Sequence, residues 1–239
     1  MQAKVIRDVV AGLTAASLDL LYPPKCVGCD REGRLLCAPC LEGLPHLVPP
    51  FCLRCSQPIA HGDVCRRCVD SPLAIDGIAA PFRMEGAARE AVHRLKYNNL
   101  RAAAPVMGEL LADFLTVRQI HGDVLIPVPL HRRRERQRGY NQAALLAREA
   151  GERLEVPVTS EALSRSKNTP SQTGRSQADE RRANVQDAFF CPDPSLVKGL
   201  RVLLVDDVCT TGATLEACSV ALKEAETASV TGVAFAREA

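Results

Sequence analysis

The chain has 239 residues, 46% of them hydrophobic and 24% charged, which suits one full domain with a small accessory unit. No apolar run approaches the roughly 20 residues needed to span a bilayer. The formal charge of +2 counts every Cys as neutral, so global charge argues neither for nor against nucleic acid and only local clusters can.

Residues 1–21 read as a short amphipathic helix. Val9–Leu18 is apolar and follows Lys4 and Arg7, but Asp8 interrupts the basic region and Asp19 follows the run. No cleavage site ends it, which counts against a signal peptide. The expected location is cytoplasmic, with the inner face of the membrane as an alternative placement.

Residues 22–70 hold eight of the eleven Cys, in four C-x2-C pairs: Cys26/Cys29, Cys37/Cys40, Cys52/Cys55 and Cys65/Cys68. Each pair makes a tight knuckle whose two thiolates face one tetrahedral ion. Lys25, Arg31, Arg34, Arg54, Arg66 and Arg67 surround them and offset the formal −2 of a zinc centre with four thiolates. Disulfide frameworks rarely repeat C-x2-C, and a thioredoxin-like pair would need one such motif before a helix. Two structural zinc ions are therefore expected. Sequential pairing and a cross-braced arrangement both satisfy the spacing. So small a segment cannot build a sufficient apolar core and should need metal to fold. Cys191, Cys209 and Cys218 read as buried or incidental thiols rather than a third site.

From residue 71 to 239 strand and helix alternate. A Ser71-Pro72 linker leads to strands over Ile75–Phe82, Val124–Val128, Val156–Thr159, Val202–Val205 and Val230–Phe235. Helices are expected over Gly86–Leu95, Ala102–Phe114, Asn141–Leu154 and Thr214–Glu224. Such alternation gives an α/β fold, a mostly parallel twisted sheet with helices on its faces. Ligands then sit outside the carboxyl ends of strands.

The segment after Val205 carries the chemistry. Asp206-Asp207 precede Val208-Cys209 and then Thr210, Thr211, Gly212, Ala213 and Thr214 at a helix start. Small hydroxyl residues and Gly there present N–H groups to an anion, and the helix dipole favours negative charge. Gly212 and Ala213 would let a phosphate approach the backbone. Two carboxylates suit a sugar cis-diol, with Mg²⁺ as a companion ion. A capped helix alone accounts for a Thr but not for two Asp ending an apolar strand.

This pattern resembles the phosphoribosyl pyrophosphate (PRPP) signature of type I phosphoribosyltransferases. No Lys follows the Gly, so it is not a Walker A loop. Further stretches, Leu95-Lys96-Tyr97, Ile126-Pro127-Val128-Pro129-Leu130, Arg138-Gly139-Tyr140-Asn141-Gln142 and Thr169-Pro170-Ser171-Gln172-Thr173, extend the likeness. With four C-x2-C pairs in front, the chain resembles the ComF family along nearly its full length. The resemblance implies a basic hood or loop over the sheet, a double zinc ribbon, and PRPP on Asp206, Asp207 and Cys209 to Thr214. It also implies competence or DNA-uptake proteins as partners and single-stranded DNA as a ligand in natural transformation. Purine-salvage relatives carry an Asp where this chain has Thr210, so a purine acceptor is not implied.

Pro127, Val128, Pro129, Arg132 and Arg138 are the pyrophosphate-side candidates, since Pro stiffens the loop and guanidinium groups clamp phosphate. The run His131–Arg138 could equally grip a nucleic-acid backbone or form a solvated helix. Residues 163–190 are polar and basic; Arg165 and Lys167, with Asp206 and Asp207, are the catalytic candidates, on a mobile loop that would close over PRPP. Three functions follow: transfer of a phosphoribosyl group to an unnamed acceptor, a single-strand DNA binder with PRPP as ligand, or a salvage enzyme unrelated to DNA uptake. Aromatic residues make up only 4% of the chain, which weakens the second, because single-strand binders interleave stacking platforms with charge.

Overall fold

A computed structural model of the chain describes residues 23–71, 73–97, 100–165 and 188–238. The expected helix over 1–21, Pro72, Lys167 and the body of the basic loop lie outside the described residues.

The N-terminal part holds little regular structure. Two short helices, α1 (Ala38–Glu42) and α2 (Arg66–Asp70), each begin immediately after a paired Cys. The α/β part starts with β1 (Gly77–Ala79) and β2 (Phe82–Arg83), separated where one strand over Ile75–Phe82 is expected. Pro81 lies between them and cannot donate to a ladder. Then follow α3 (Gly86–Tyr97), α4 (Ala104–Val117), β3 (Val124–Pro127), α5 (Arg132–Arg138) and α6 (Gln142–Leu154). The chain ends with β4 (Ser164–Arg165), β5 (Phe189–Phe190), β6 (Arg201–Cys209), α7 (Ala213–Glu224) and β7 (Ser229–Arg237).

The main sheet runs β1-β7-β6-β3, with β2 also beside β7, and every pairing in it is parallel. The strand expected over Val156–Thr159 contributes one parallel bridge, Leu125 to Val158. Period-two alternation divides the start of β6 between two cores. Leu203 and Val205 pack with Leu95, Leu111 and Leu146 of α3, α4 and α6. Val202 and Leu204 pack with Leu215, Cys218 and Leu222 of α7 and with Phe189. Helices therefore cover both faces. β4 and β5 form an antiparallel pair, a stem at the two ends of the basic segment.

Candidate phosphate and sugar site

β6 is longer than its apolar run. It continues through Asp206 and Asp207 to Cys209, so the carboxylates are fixed by strand backbone rather than carried on a free loop. Asp207 is 7% exposed, and its Oδ1 lies 3.0 Å from Lys96 Nζ near the end of α3. Asp206 Oδ1 accepts the Asp207 N–H at 2.8 Å. Burial and the neighbouring Asp207 charge push the Asp206 pKa up to about 7. Its charge is felt by Cys218 of α7, so the two acids meet different surroundings.

Beyond Cys209 the chain turns through exposed Thr210 and Thr211 into α7. Gly212 occupies the N-cap position at φ 77°, a conformation that favours glycine. A Cβ there would sit 2.9 Å from Ile78 Cδ1. The turn's backbone conformation and Ile78 beneath both favour a residue without a side chain here. Thr211 Oγ1 accepts the Ala213 N–H at 3.3 Å. Thr214 is half-buried on the first turn of the helix.

The pyrophosphate-side candidates divide. Pro127 and Val128 are buried, and the Val128 N–H donates to Val205 O at 2.9 Å, so their side chains and that donor serve the fold. Pro129 is half-buried. Helical spacing splits the arginines of α5 between two depressions. Arg134 and Arg138 join Lys96, Tyr97, Gln137 and Tyr140 around a cleft of about 470 Å³. Arg132 and Arg136 line a second depression of about 510 Å³ with Glu135 and Gly139. Arg132 is therefore not gathered to the Lys96–Asp207 side. Arg165, on the hairpin stem, stacks 5.2 Å from the Phe189 ring. Burial and the nearby Arg134 charge lower its pKa, so both cations share one neighbourhood.

The stretch Arg138 to Gln142 is mostly structural. Gly139 ends α5 in the left-handed conformation, and Asn141 caps α6 by accepting the Ala143 N–H at 3.0 Å. Asn141 Nδ2 also donates to Val128 O at 2.9 Å, and the Tyr140 hydroxyl donates to Leu95 O. This places Lys96, Asp207 and the start of α5 at one sheet edge.

The eight paired thiols form two groups of four. Cys26, Cys29, Cys37 and Cys40 lie with all sulfurs within 4.8 Å of one another, and so do Cys52, Cys55, Cys65 and Cys68. Pairing is sequential, not cross-braced. Zinc with bonds to sulfur of about 2.3 Å in a tetrahedron sets sulfurs roughly 3.8 Å apart. Cys29 and Cys37 sulfurs are 3.6 Å apart, and Cys55 and Cys65 sulfurs 3.7 Å, far beyond a disulfide bond. Burial acts against the Cys26 and Cys52 thiolates, yet nearby backbone N–H groups outweigh it and bring each pKa to about 6. These donor sets fit zinc.

The charge pattern places Arg67 beside the thiolates as a counter-charge and gives no role to Gln57 or Arg237, yet all three support the loop from behind. Lys96 stands out in the sequence only as part of Leu95-Lys96-Tyr97. A lone Arg closing an apolar strand was the available signal for Arg237, which is 1% exposed.

Residues 17–69 match the double zinc ribbon domain family, and residues 137–238 the phosphoribosyl transferase domain family. The chain is 32% identical over 177 residues to DNA utilization protein YhgH of Escherichia coli O157:H7, covering 69% of this chain and 74% of that protein. It is 30% identical over 211 residues to Competence protein F of Haemophilus influenzae, covering 84% and 91%. Competence protein ComFC of Bacillus subtilis is 28% identical over 218 residues, covering 87% and 86%. With both domains and these relatives, the chain belongs to the ComF family, a phosphoribosyltransferase fold preceded by a double zinc ribbon.

Proposed function

We propose that the chain binds PRPP with Mg²⁺ and transfers its phosphoribosyl group to an acceptor that the residues do not name. The observation that carries this reading is the continuity of one strand, one glycine turn and one helix. Asp206 and Asp207 lie near the end of the strand, which runs on to Cys209, and Thr210 to Gly212 form the turn into the helix that starts at Ala213. Phosphate on the helix N-terminus and ribose on the carboxylates then follow from one backbone path. Asp206 and Asp207 would also hold Mg²⁺, which supplies charge neutralisation at the pyrophosphate. Arg134, Arg138 and Lys96 line the cleft where departing pyrophosphate would be stabilised. As charge develops on the sugar, Asp206 and Asp207 stabilise it electrostatically. Residues 71–239 are taken as the transferase unit and 22–70 as the zinc unit, working in the cytoplasm. Among the described residues no helix is long and apolar enough to cross a membrane.

A second reading rests on the exposed face of α5. Arg132, Arg133 and Arg136 are exposed, and Arg132 and Arg136 line a depression apart from the Lys96 cleft, so they are free to meet a DNA backbone. The relatives' names, competence protein and DNA utilization protein, fit a role in DNA uptake with single-stranded DNA and uptake proteins as partners. Titration calorimetry with Mg²⁺–PRPP, followed by pyrophosphate release with a panel of nucleobases and single-stranded DNA, separates the two. Binding with release supports transfer. Binding without release supports PRPP as a ligand, and no binding rejects both uses of PRPP.

A further inference from the structure

Three consecutive carbonyls behind the proposed phosphate seat are each held by a guanidinium. Arg237 Nη1 donates to Cys209 O at 2.9 Å, and also to Thr210 O. Arg67 Nη1 donates to Thr211 O. A trans peptide points its carbonyl and the next N–H in opposite directions. Pinning carbonyls 209, 210 and 211 from behind therefore aims the N–H groups of Thr210, Thr211 and Gly212 away from the arginines, toward the open side of the turn.

Arg67 is not part of the transferase fold. It lies between Cys65 and Cys68, at the start of α2, inside the second thiol cluster. The same ribbon supplies Gln57, whose Oε1 accepts from Arg237 Nη2 at 2.6 Å. It also supplies Ser56, whose hydroxyl donates to Ile78 O at 2.6 Å, and the Arg54 carbonyl, which accepts the Ile78 N–H at 2.8 Å. Ile78 is the residue packed under Gly212. The second ribbon thus holds the turn directly through Arg67, through Arg237, and from below through Ile78. The first ribbon meets the domain elsewhere: Leu47 N donates to Pro81 O and Arg83 N to Pro45 O, both at 2.8 Å, and Arg94 pairs with Asp30 at 2.7 Å.

We propose that Arg67 is a positioning residue for the phosphate turn, and that the second thiol cluster, but not the first, is thermodynamically linked to phosphate-ester binding there. This rests on the phosphate reading above. Linkage is reciprocal: if an intact second ribbon favours the ligand-competent turn, ligand must hold that ribbon together by the same factor.

The test uses the full zinc-loaded chain and ribose 5-phosphate. In the parent, saturating ribose 5-phosphate should slow alkylation of Cys52, Cys55, Cys65 and Cys68 under a chelator several-fold, leaving Cys26, Cys29, Cys37 and Cys40 unchanged. Arg67→Met should keep two zinc ions and the parent's thermal transition, lose that selective protection, and bind ribose 5-phosphate about tenfold more weakly. Arg67→Lys should recover part of both. Gln57→Leu, which cuts the other link, should weaken protection in the same four thiols. Equal protection of all eight thiols, or of none while ribose 5-phosphate binds, overturns the linkage. So does parent-like binding and protection in Arg67→Met. A parent that binds neither ribose 5-phosphate nor inorganic phosphate overturns the phosphate reading and the linkage together.

Discussion

Lys96 Nζ and Asp207 Oδ1 lie 3.0 Å apart with side-chain exposures of 22% and 9%, tying the end of α3 to the strand that delivers the second acid. The pair brings a cation to the wall of the Arg134–Arg138 cleft. Removing one partner strands the other. Lys96→Met should destabilise the chain by about 2–4 kcal/mol in thermal or urea unfolding. The double variant Lys96→Met/Asp207→Asn should cost clearly less than the two single losses added. Simple additivity would mean the ion pair contributes nothing.

Sugar and phosphate recognition can be separated within one loop. Asp206→Asn and Asp207→Asn keep size and remove charge. Each should weaken Mg²⁺–PRPP binding by roughly ten- to a hundredfold, from a loss of about 1.5–3 kcal/mol per charged hydrogen bond. Affinity for a phosphate ester without the diol should barely change. Calorimetry with both ligands decides it, and parent-like PRPP binding by both variants removes the ribose assignment.

Asp206 also predicts a pH dependence. Its folded pKa of about 7 lies above the ordinary carboxylate value, because of burial and the Asp207 charge. A raised pKa contributes stability that is complete below about pH 4 and is lost as pH rises to about 7, levelling off above. Asp206→Asn should therefore gain stability over the parent at pH 8, by about 1–3 kcal/mol after allowing for partial solvent exposure, and little at pH 4.5. PRPP affinity should rise with pH through 7 in the parent, since the carboxylate must ionise to accept from the diol, and the Asn variant should lose that slope. Identical melting profiles at the two pH values would count against the buried acid.

Zinc content gives the plainest measurement. Two ions per chain are expected, and Cys26→Ser and Cys52→Ser should each lose one, from different clusters. Elemental analysis after mild chelation, with unfolding followed in parallel, should show metal loss and loss of the 23–71 fold together. Loss of both ions from either single variant would mean that the clusters are not independent.

The two arginine pairs of α5 should divide by function. Arg132→Gln/Arg136→Gln should weaken single-stranded DNA binding and flatten its salt dependence, with PRPP affinity kept. Arg134→Gln/Arg138→Gln should do the reverse. If both double variants lose the same ligand equally, the split between the two depressions has no functional meaning.

The local order of residues was enough for much of this. C-x2-C knuckles, an apolar strand ending in Asp206-Asp207, and Gly212 before a helical period are short-range patterns, and short-range sterics and ligand chemistry dictate them. The alternating parallel fold followed from hydrophobic period alone. Which knuckles share a metal did not, because sequential and crossed pairings satisfy the same spacing. Nor did the division of α5, since a run of arginines shows no face until its helix is docked. The reach of β6 through Asp207 to Cys209 needed β7 beside it, because ladder hydrogen bonds hold polar residues in a strand that their side chains do not favour. Lys96 and Asp207 are 111 positions apart, and Arg67 and Thr211 are 144 apart. Only packing of the ribbons and helices against one sheet brings such groups together.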